Sequence, residues 1–199
     1  MRCLRRRLTL GLGLGALLLV SDCGGGPTAP SLRDAETLTR EGWAAFETGE
    51  FARAAAKFDS AQKANPDFAE AYNGAGWAYA RLGEFERSGE NFDMAINLAR
   101  DQVEPRAGAA LTDHALGRFQ DAIEHALFVL SKEPDFVFSH DASIDALDIR
   151  ITLALSYFAV ADFVDAAAQM DIIDPAHSPH STDPQLLIRE IMRFMGLIR

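Results

Sequence analysis

Three stretches of the chain, GEFARAAAKFDSAQKANPDF (residues 49–68), GEFERSGENFDMAINLARDQ (83–102) and GRFQDAIEHALFVLSKEPDF (117–136), begin 34 residues apart. They share an initial glycine, a phenylalanine two residues later and a small residue three residues after that. The aligned positions are Gly49, Gly83 and Gly117; Phe51, Phe85 and Phe119; and Ala54, Ser88 and Ala122. A fixed period of this length is typical of stacked repeats.

Each period contains the elements of an antiparallel helix pair. Small residues at Gly42, Gly76 and Ala110 fall on a first helix, and the small residues quoted above fall on a second. Small residues allow paired helices to approach closely, and the period's glycine lies where the first helix must end and the chain reverse. We expect the aligned phenylalanines to fill the gap to the neighbouring unit.

The pattern resembles the tetratricopeptide repeat family, strongly in three repeats and weakly in a fourth. The resemblance implies an all-α fold: a right-handed superhelical array of antiparallel helix pairs, with three regular repeats, one degenerate repeat and a C-terminal capping helix. The predicted domain covers 35–199, with repeats at 35–68, 69–102, 103–136 and 137–175 and the capping helix at 184–198.

The fourth unit departs from the period because Phe163 lies 44 residues after Phe119, so about ten extra residues enter near VFSHDASIDA (137–146). The sequence predicts a long first helix over about 142–160, capped by Ser139 or Asp141. Its partner is predicted over about 163–172.

The last helix carries its own start signal. Asp183 is the predicted N-cap, and Pro184 occupies the first helical position. Leu187, Ile191, Phe194 and Ile198 fall on one helical face, as a capping helix requires.

The N-terminus has the composition of an export signal. Residues 1–22 begin with the basic MRCLRRR and continue with an apolar run from Leu8 to Val20, which is shorter than a comfortable membrane span. After it, Val20-Ser21-Asp22-Cys23 resembles the lipobox of bacterial lipoproteins, although Asp22 stands where that family has a small residue.

The resemblance implies acylation at Cys23, with 23–34 as a lipidated cysteine and flexible tether. Because Gly24 rather than Asp follows the cysteine, it also implies the periplasmic face of the outer membrane. Two alternatives remain. The segment could be an uncleaved signal anchor, or the protein could be secreted in the ordinary way with Cys23 unmodified.

Charge and cysteine content exclude several functions. The net charge is -10, and removal of residues 1–22 leaves 15 basic and 28 acidic residues, or -13. Such a body is repelled by nucleic acid. With only Cys3 and Cys23, the chain cannot build a disulfide framework or a zinc cluster.

Tetratricopeptide arrays bind ligands on a concave surface lined by the first helix of each pair. Mapped by the resemblance, the candidate partner-binding residues are Glu36, Thr39, Trp43, Glu47, Glu70, Asn73, Trp77, Arg81, Glu104, Leu111 and His114. In the shifted frame of the fourth unit, Asp148 extends the column of carboxylates and Leu155 the apolar column.

The mapped residues favour a protein or peptide partner with basic and apolar side chains, since tryptophans make interface anchors and carboxylates select cations. The carboxylates also suit helix starts without any ligand, and Trp43 and Trp77 could instead pack against neighbouring helices. An acidic C-terminal peptide is not the expected ligand, because Thr39 and Trp43 replace the lysine and asparagine of the family's clamp.

No catalytic residue, metal site or cofactor is predicted. His177 and His180, beside Asp174 and Asp183, lie in a proline-broken loop that does not fix metal-ligand geometry. Two other classes stay open. One is a lipid or small-molecule carrier using the apolar column of Trp43, Trp77, Leu111 and Leu155, and the other is an enzyme with a site in 137–146 and 174–183.

Overall fold

The computed structural model describes residues 32–197, and this part of the chain folds into successive helix pairs. Its α-helices are α1 (Leu32–Glu47), α2 (Phe51–Ala64), α3 (Ala69–Leu82), α4 (Phe85–Leu98), α5 (Glu104–Ala115), α6 (Phe119–Lys132), α7 (Ala146–Ala159), α8 (Phe163–Ile173) and α9 (Pro184–Phe194). The signal segment, Cys23 and Ile198 lie outside the described residues. Residues 32–34, assigned above to the tether, form the start of α1.

The helices form two layers. Each odd-numbered helix from α1 to α7 packs against the helix that follows it, and these odd-numbered helices also pack against one another in sequence. They form the inner layer of a solenoid, with the even-numbered helices outside. The all-α fold predicted from the sequence is confirmed.

A phenylalanine ring joins the first two repeats at a point where two helices carry no side chain. Phe58 of α2 is fully buried between Gly42 of α1 and Gly74 of α3. A Cβ atom on Gly42 would lie 2.7 Å from the Phe58 ring, and one on Gly74 only 2.2 Å from it. The ring therefore fills space that only glycine leaves open.

The same arrangement recurs one period later. Phe92 of α4 is fully buried between Gly76 of α3 and Gly108 of α5, where added Cβ atoms would lie 2.6 Å and 2.1 Å from the ring. In the third repeat Ala126 takes the aligned position. The ring-in-glycine contact thus connects the three regular repeats.

The turns inside the pairs use the predicted glycines. Gly49, Gly83 and Gly117 have φ angles of 79°, 76° and 74°, in the left-handed region that glycine adopts without steric cost. Ala161 occupies the same place in the fourth unit with a φ of 63°.

The aligned phenylalanines were expected to fill the gap to the neighbouring unit, but the aromatic ring contacts of two of them lie inside their own repeat. Phe51 packs edge to face on Phe46, and Phe119 packs similarly on His114. Phe85 remains 36% exposed, so the expectation that it fills an interface is wrong for the second repeat.

The first helix of the fourth unit starts later than predicted. The sequence places it over about 142–160 with Ser139 or Asp141 as its cap, but α7 begins at Ala146 and its N-cap is Asp145. The Asp145 side chain accepts a hydrogen bond from the N–H of Leu147 at 2.8 Å. The prediction fails because the preceding residues pair with one another instead of extending the helix.

The last helix begins as predicted. The Asp183 side chain accepts hydrogen bonds from two backbone N–H groups of the first turn, and Pro184 is the first helical residue. Leu187 and Ile191 are buried against α8 and α7, and Phe194 packs at the edge of that cluster. The predicted capping function of α9 is confirmed for these residues.

The glycine contact can be tested with two alanine variants. Gly108→Ala should lower the free energy of unfolding by about 1–3 kcal/mol, because its Cβ must displace the Phe92 ring. Gly89→Ala is the matched control, since a Cβ there meets nothing closer than 3.4 Å, and it should raise stability by about 0.5–1 kcal/mol through helix propensity. Urea denaturation measures both, and equal effects would contradict the packing argument.

Candidate functional site

The predicted groove residues lie on the inner helices but do not line an open groove. Trp43 of α1 is 7% exposed and Trp77 of α3 only 2%. Residues 133–145, between α6 and α7, cross the surface where the sequence analysis places a ligand. We call this segment the insertion loop.

The insertion loop is a short hairpin. Phe138 N–H donates to the carbonyl of Ile144 at 2.9 Å, and Ala146 N–H donates to the carbonyl of Phe136 at 2.8 Å. Val137 and Asp145 form an antiparallel bridge between its two arms. Cross-strand pairing in this segment explains why α7 starts late.

Phe138 covers the centre of the inner surface. Its ring stacks on Trp77 with centroids 4.1 Å apart and packs edge to face against Trp43 and Phe46. Phe138 is fully buried. The apolar column proposed for a lipid or small-molecule carrier is therefore filled at Trp77 by a side chain of the protein itself.

Two further contacts hold the tip of the loop. The His140 ring stacks on Trp43 with centroids 3.7 Å apart, and its Nδ1 donates to Glu47 Oε1 at 2.8 Å. Asp141 pairs with Arg81, whose guanidinium also lies over the Phe51 ring.

Sequence reasoning did not assign Phe138, His140 or Asp141 to the site. The available signal was the interruption of the 34-residue period by about ten residues, which include one phenylalanine and one histidine. The sequence alone did not indicate on which surface of the solenoid this segment lies.

Glu70 lines two of the cavities that adjoin the insertion loop. The first, which we call the tryptophan pocket, has a volume of about 510 Å³. It is lined by Glu36, Thr39, Arg40, Trp43, Ala44, Glu47, Phe68, Glu70 and His140. Five of the predicted partner-binding residues therefore converge here, while Arg40, Phe68 and His140 were not predicted.

The second cavity, which we call the glutamate pocket, has a volume of about 310 Å³. It is lined by Glu70, Asn73, Gln102, Val103, Glu104, Pro105, Glu133, Phe136 and Val137. It adds two more predicted site residues, Asn73 and Glu104, and brings them together with residues at both ends of the third repeat.

Glu70 is held rigidly between the two pockets. Trp43 Nε1 donates to Glu70 Oε1 at 2.8 Å, and Asn73 Nδ2 donates to its other oxygen at 3.4 Å. Burial raises the pKa of the Glu70 carboxyl above its ordinary value, and the charge of Glu104 raises it further, against the lowering effect of these hydrogen bonds. None of the ion pairs among residues 32–197 involves Glu70 or Glu104.

The remaining predicted residues lie apart from both pockets. Leu111 packs at the edge of the core, and His114 Nδ1 is hydrogen bonded to Ser156 Oγ at 2.9 Å. Burial lowers the pKa of His114. Asp148 does not extend the carboxylate column as a free group, because its side chain accepts a hydrogen bond from the Asp145 N–H at 3.0 Å.

The histidine-containing connector before α9 forms a separate cluster. His180 Nδ1 donates to Asp171 at 2.9 Å, and His177 Nδ1 donates to Asp174 at 3.0 Å. Within the described part of the chain, no group of three or more His, Cys, Asp or Glu side chains is placed to hold a metal ion.

The fold defines a class: a helical-repeat solenoid built from stacked antiparallel helix pairs. Residues 39–105 match the family profile described as tetratricopeptide repeat. Solved tetratricopeptide repeat proteins share the fold of the described chain. Comparison with curated proteins finds no match.

Solved structures with the same fold include YrrB, described as a tetratricopeptide repeat protein with an unusual peptide-binding site. It is 14% identical, with a TM-score of 0.64 over 82% of this chain and 87% of that chain. MamA MSR-1 is 17% identical, with a TM-score of 0.62 over 81% and 87%. The first repeat domain of Spaghetti (RPAP3), bound to the HSP90 peptide SRMEEVD, is 20% identical, with a TM-score of 0.56 over 66% and 98%.

A search of residues 32–197 for a helix with the length and hydropathy of a membrane span finds none.

The packing of the loop on Trp77 can be tested by truncating Phe138. Phe138→Ala should lower the free energy of unfolding by about 3–5 kcal/mol and shift tryptophan emission to longer wavelength, because water reaches Trp77. Val137→Ala is the control, since Val137 is 53% exposed and should change neither quantity. Unchanged emission in Phe138→Ala would show that the loop does not cover Trp77.

Proposed function

We propose that the protein is an exported, lipid-anchored scaffold that binds an exposed segment of a partner protein through its concave surface. The fold supports an interaction scaffold, and two structures that share it, YrrB and the Spaghetti domain, are described with a peptide-binding site and a bound peptide. We propose no catalytic step for this scaffold.

The observation that carries this proposal is the tryptophan pocket. The pocket lies on the inner surface, where Phe68, Ala44 and the edge of Trp43 supply apolar contacts. Thr39 Oγ1 is buried at its wall without a hydrogen-bond partner among the described residues. A cavity with apolar walls and a few fixed polar groups is the usual form of a recognition site.

The charge of the pocket indicates a basic partner. Glu36 is exposed at its rim, and Glu70 supplies a second carboxylate at its floor. Arg40 also lines the cavity, and Glu47 is occupied by His140. Since the whole chain has a net charge of -10, a segment with basic side chains between apolar ones complements this surface.

The anchor part of the proposal rests on the N-terminal sequence. The apolar run from Leu8 to Val20 and the Cys23 that follows it resemble a lipoprotein signal. Eight residues separate Cys23 from α1, which corresponds to a root-mean-square reach of about 15 Å if they behave as a flexible chain. Because Glu36 lies just after the start of α1, the tryptophan pocket would face a partner close to the membrane.

Partner binding at the tryptophan pocket can be tested by charge reversal. Affinity capture from envelope extracts with Glu36→Lys should retrieve the partner about five-fold less than capture with wild type, because an attractive charge becomes repulsive. Glu90→Lys, on the exposed face of α4, makes the same charge change away from the pocket and should retain full capture. Equal capture by both variants would show that the pocket is not the binding surface.

Trp77→Ala is a poor probe of partner binding because Trp77 belongs to the hydrophobic core.

The anchor can be tested by metabolic labelling with an acyl-chain analogue. Wild type should incorporate the label and partition into the membrane fraction, whereas Cys23→Ala should do neither, because acylation requires the cysteine thiol. Cys3→Ala is the control and should be labelled like wild type, since Cys3 lies within the segment that is removed. Unlabelled wild type would refute the lipid anchor.

A further inference from the structure

The glutamate pocket contains hydrogen-bond acceptors without a matching cation. Asn73 Nδ2 donates to Glu70 Oε2 and to Glu104 Oε2, each at 3.4 Å, so the amide group lies between the two carboxylates. Asn73 is 1% exposed, and its Oδ1 has no hydrogen-bond partner among the described residues. A buried acceptor without a partner is costly, and a ligand that donates a hydrogen bond there would remove that cost.

The insertion loop completes this pocket. Ser139 N–H donates to Glu104 Oε1 at 3.2 Å and fixes the carboxylate from the side of the loop. Phe136 and Val137 form one wall, and Glu133 contributes a third carboxylate to the lining. On the opposite side the wall is formed by the start of α5 and the residue before it. The insertion loop therefore forms one side of the pocket.

We propose that the glutamate pocket binds the cationic head of a basic side chain, lysine or arginine, supplied by the partner segment. This inference rests on the proposed function and adds a specificity site to it. The head donates to Glu70, Glu104 and the free Asn73 Oδ1, all of which only accept. Val103 and Pro105 contact the methylene stem, as apolar walls do for long charged side chains.

The electrostatic balance favours an organic cation here. Two carboxylates lie within reach of one amide group, and burial already raises the pKa of Glu70. A bound positive charge stabilises the ionised form of Glu70 and offsets the repulsion between the two carboxylates. The amide between the carboxylates keeps them apart, which suits an ammonium or guanidinium group with several divergent donors better than a single compact ion.

The site can be tested on the full-length protein with small probes and without knowledge of the partner. Nuclear magnetic resonance follows the side-chain amide signals of Asn73 during titration with N-acetyl-lysine methylamide. We expect these signals to shift with a dissociation constant in the millimolar range, on the order of that for a single buried ion pair. N-acetyl-norleucine methylamide, which has the same stem without the charge, should leave them unchanged.

Two variants test the carboxylates. Glu104→Gln keeps the acceptor used by Ser139 but removes the charge, and should weaken lysine-probe binding about ten-fold. Glu133→Gln changes an exposed residue of the lining and should weaken binding about two-fold without affecting folding. Glu90→Gln, on the exposed face of α4, is the charge-matched control and should bind like wild type.

The proposal is overturned if the norleucine probe shifts Asn73 as strongly as the lysine probe, or if Glu104→Gln binds like Glu90→Gln. It is also overturned if 1,4-diaminobutane or Ca²⁺ shifts Asn73 at lower concentrations than the lysine probe, since the ligand would then be a free polyamine or a metal ion. If the lysine probe fails while Glu36→Lys still loses the captured partner, only this inference falls and the proposed scaffold function stands.

Discussion

The solenoid depends on a phenylalanine ring that occupies a gap between two glycines. Phe58 and Phe92 each bury a ring where the neighbouring inner helices carry a glycine. Any residue other than glycine would place a Cβ atom in the space that the ring occupies. Because each ring contacts glycines on two successive inner helices, one contact fixes both the pairing within a repeat and the distance to the next. The spacing of α1, α3 and α5, which carry most of the predicted groove residues, therefore depends on this repeated contact.

The third repeat is where the regular pattern ends. Ala126 takes the place of the phenylalanine, and the insertion loop follows α6 directly. The loop then supplies the aromatic side chain that the inner surface lacks, since Phe138 fills the space over Trp77. An open concave surface is thereby exchanged for a packed centre with two pockets beside it. Glu70 lies beside this centre, and burial disfavours its ionised form.

A binding surface made in this way differs from an open groove in what it can recognise. The tryptophan pocket offers apolar walls near the start of α1, and the glutamate pocket offers buried acceptors at the start of α5. If the proposed partner segment spans both pockets, it has to place apolar and basic side chains at a fixed separation, which would give selectivity beyond net charge. Tethering the N-terminal end of such a solenoid to a membrane would limit its partners to proteins within a short distance of the lipid surface.

The sequence by itself determined the repeat, because helix pairing depends on local features that recur every 34 residues. The glycines at 49, 83 and 117, the small residues on facing helices and the Asp183 cap were all readable, and each lies where local sterics or hydrogen bonding requires it. For the same reason, the sequence predicted which residues lie on the inner helices.

Only the tertiary structure decided which of these residues remain accessible. Phe138 and Trp77 are 61 residues apart in sequence, and neither local propensity nor periodicity encodes a contact between an irregular loop and a helix face. The pockets beside that contact therefore follow from packing, which depends on the whole array.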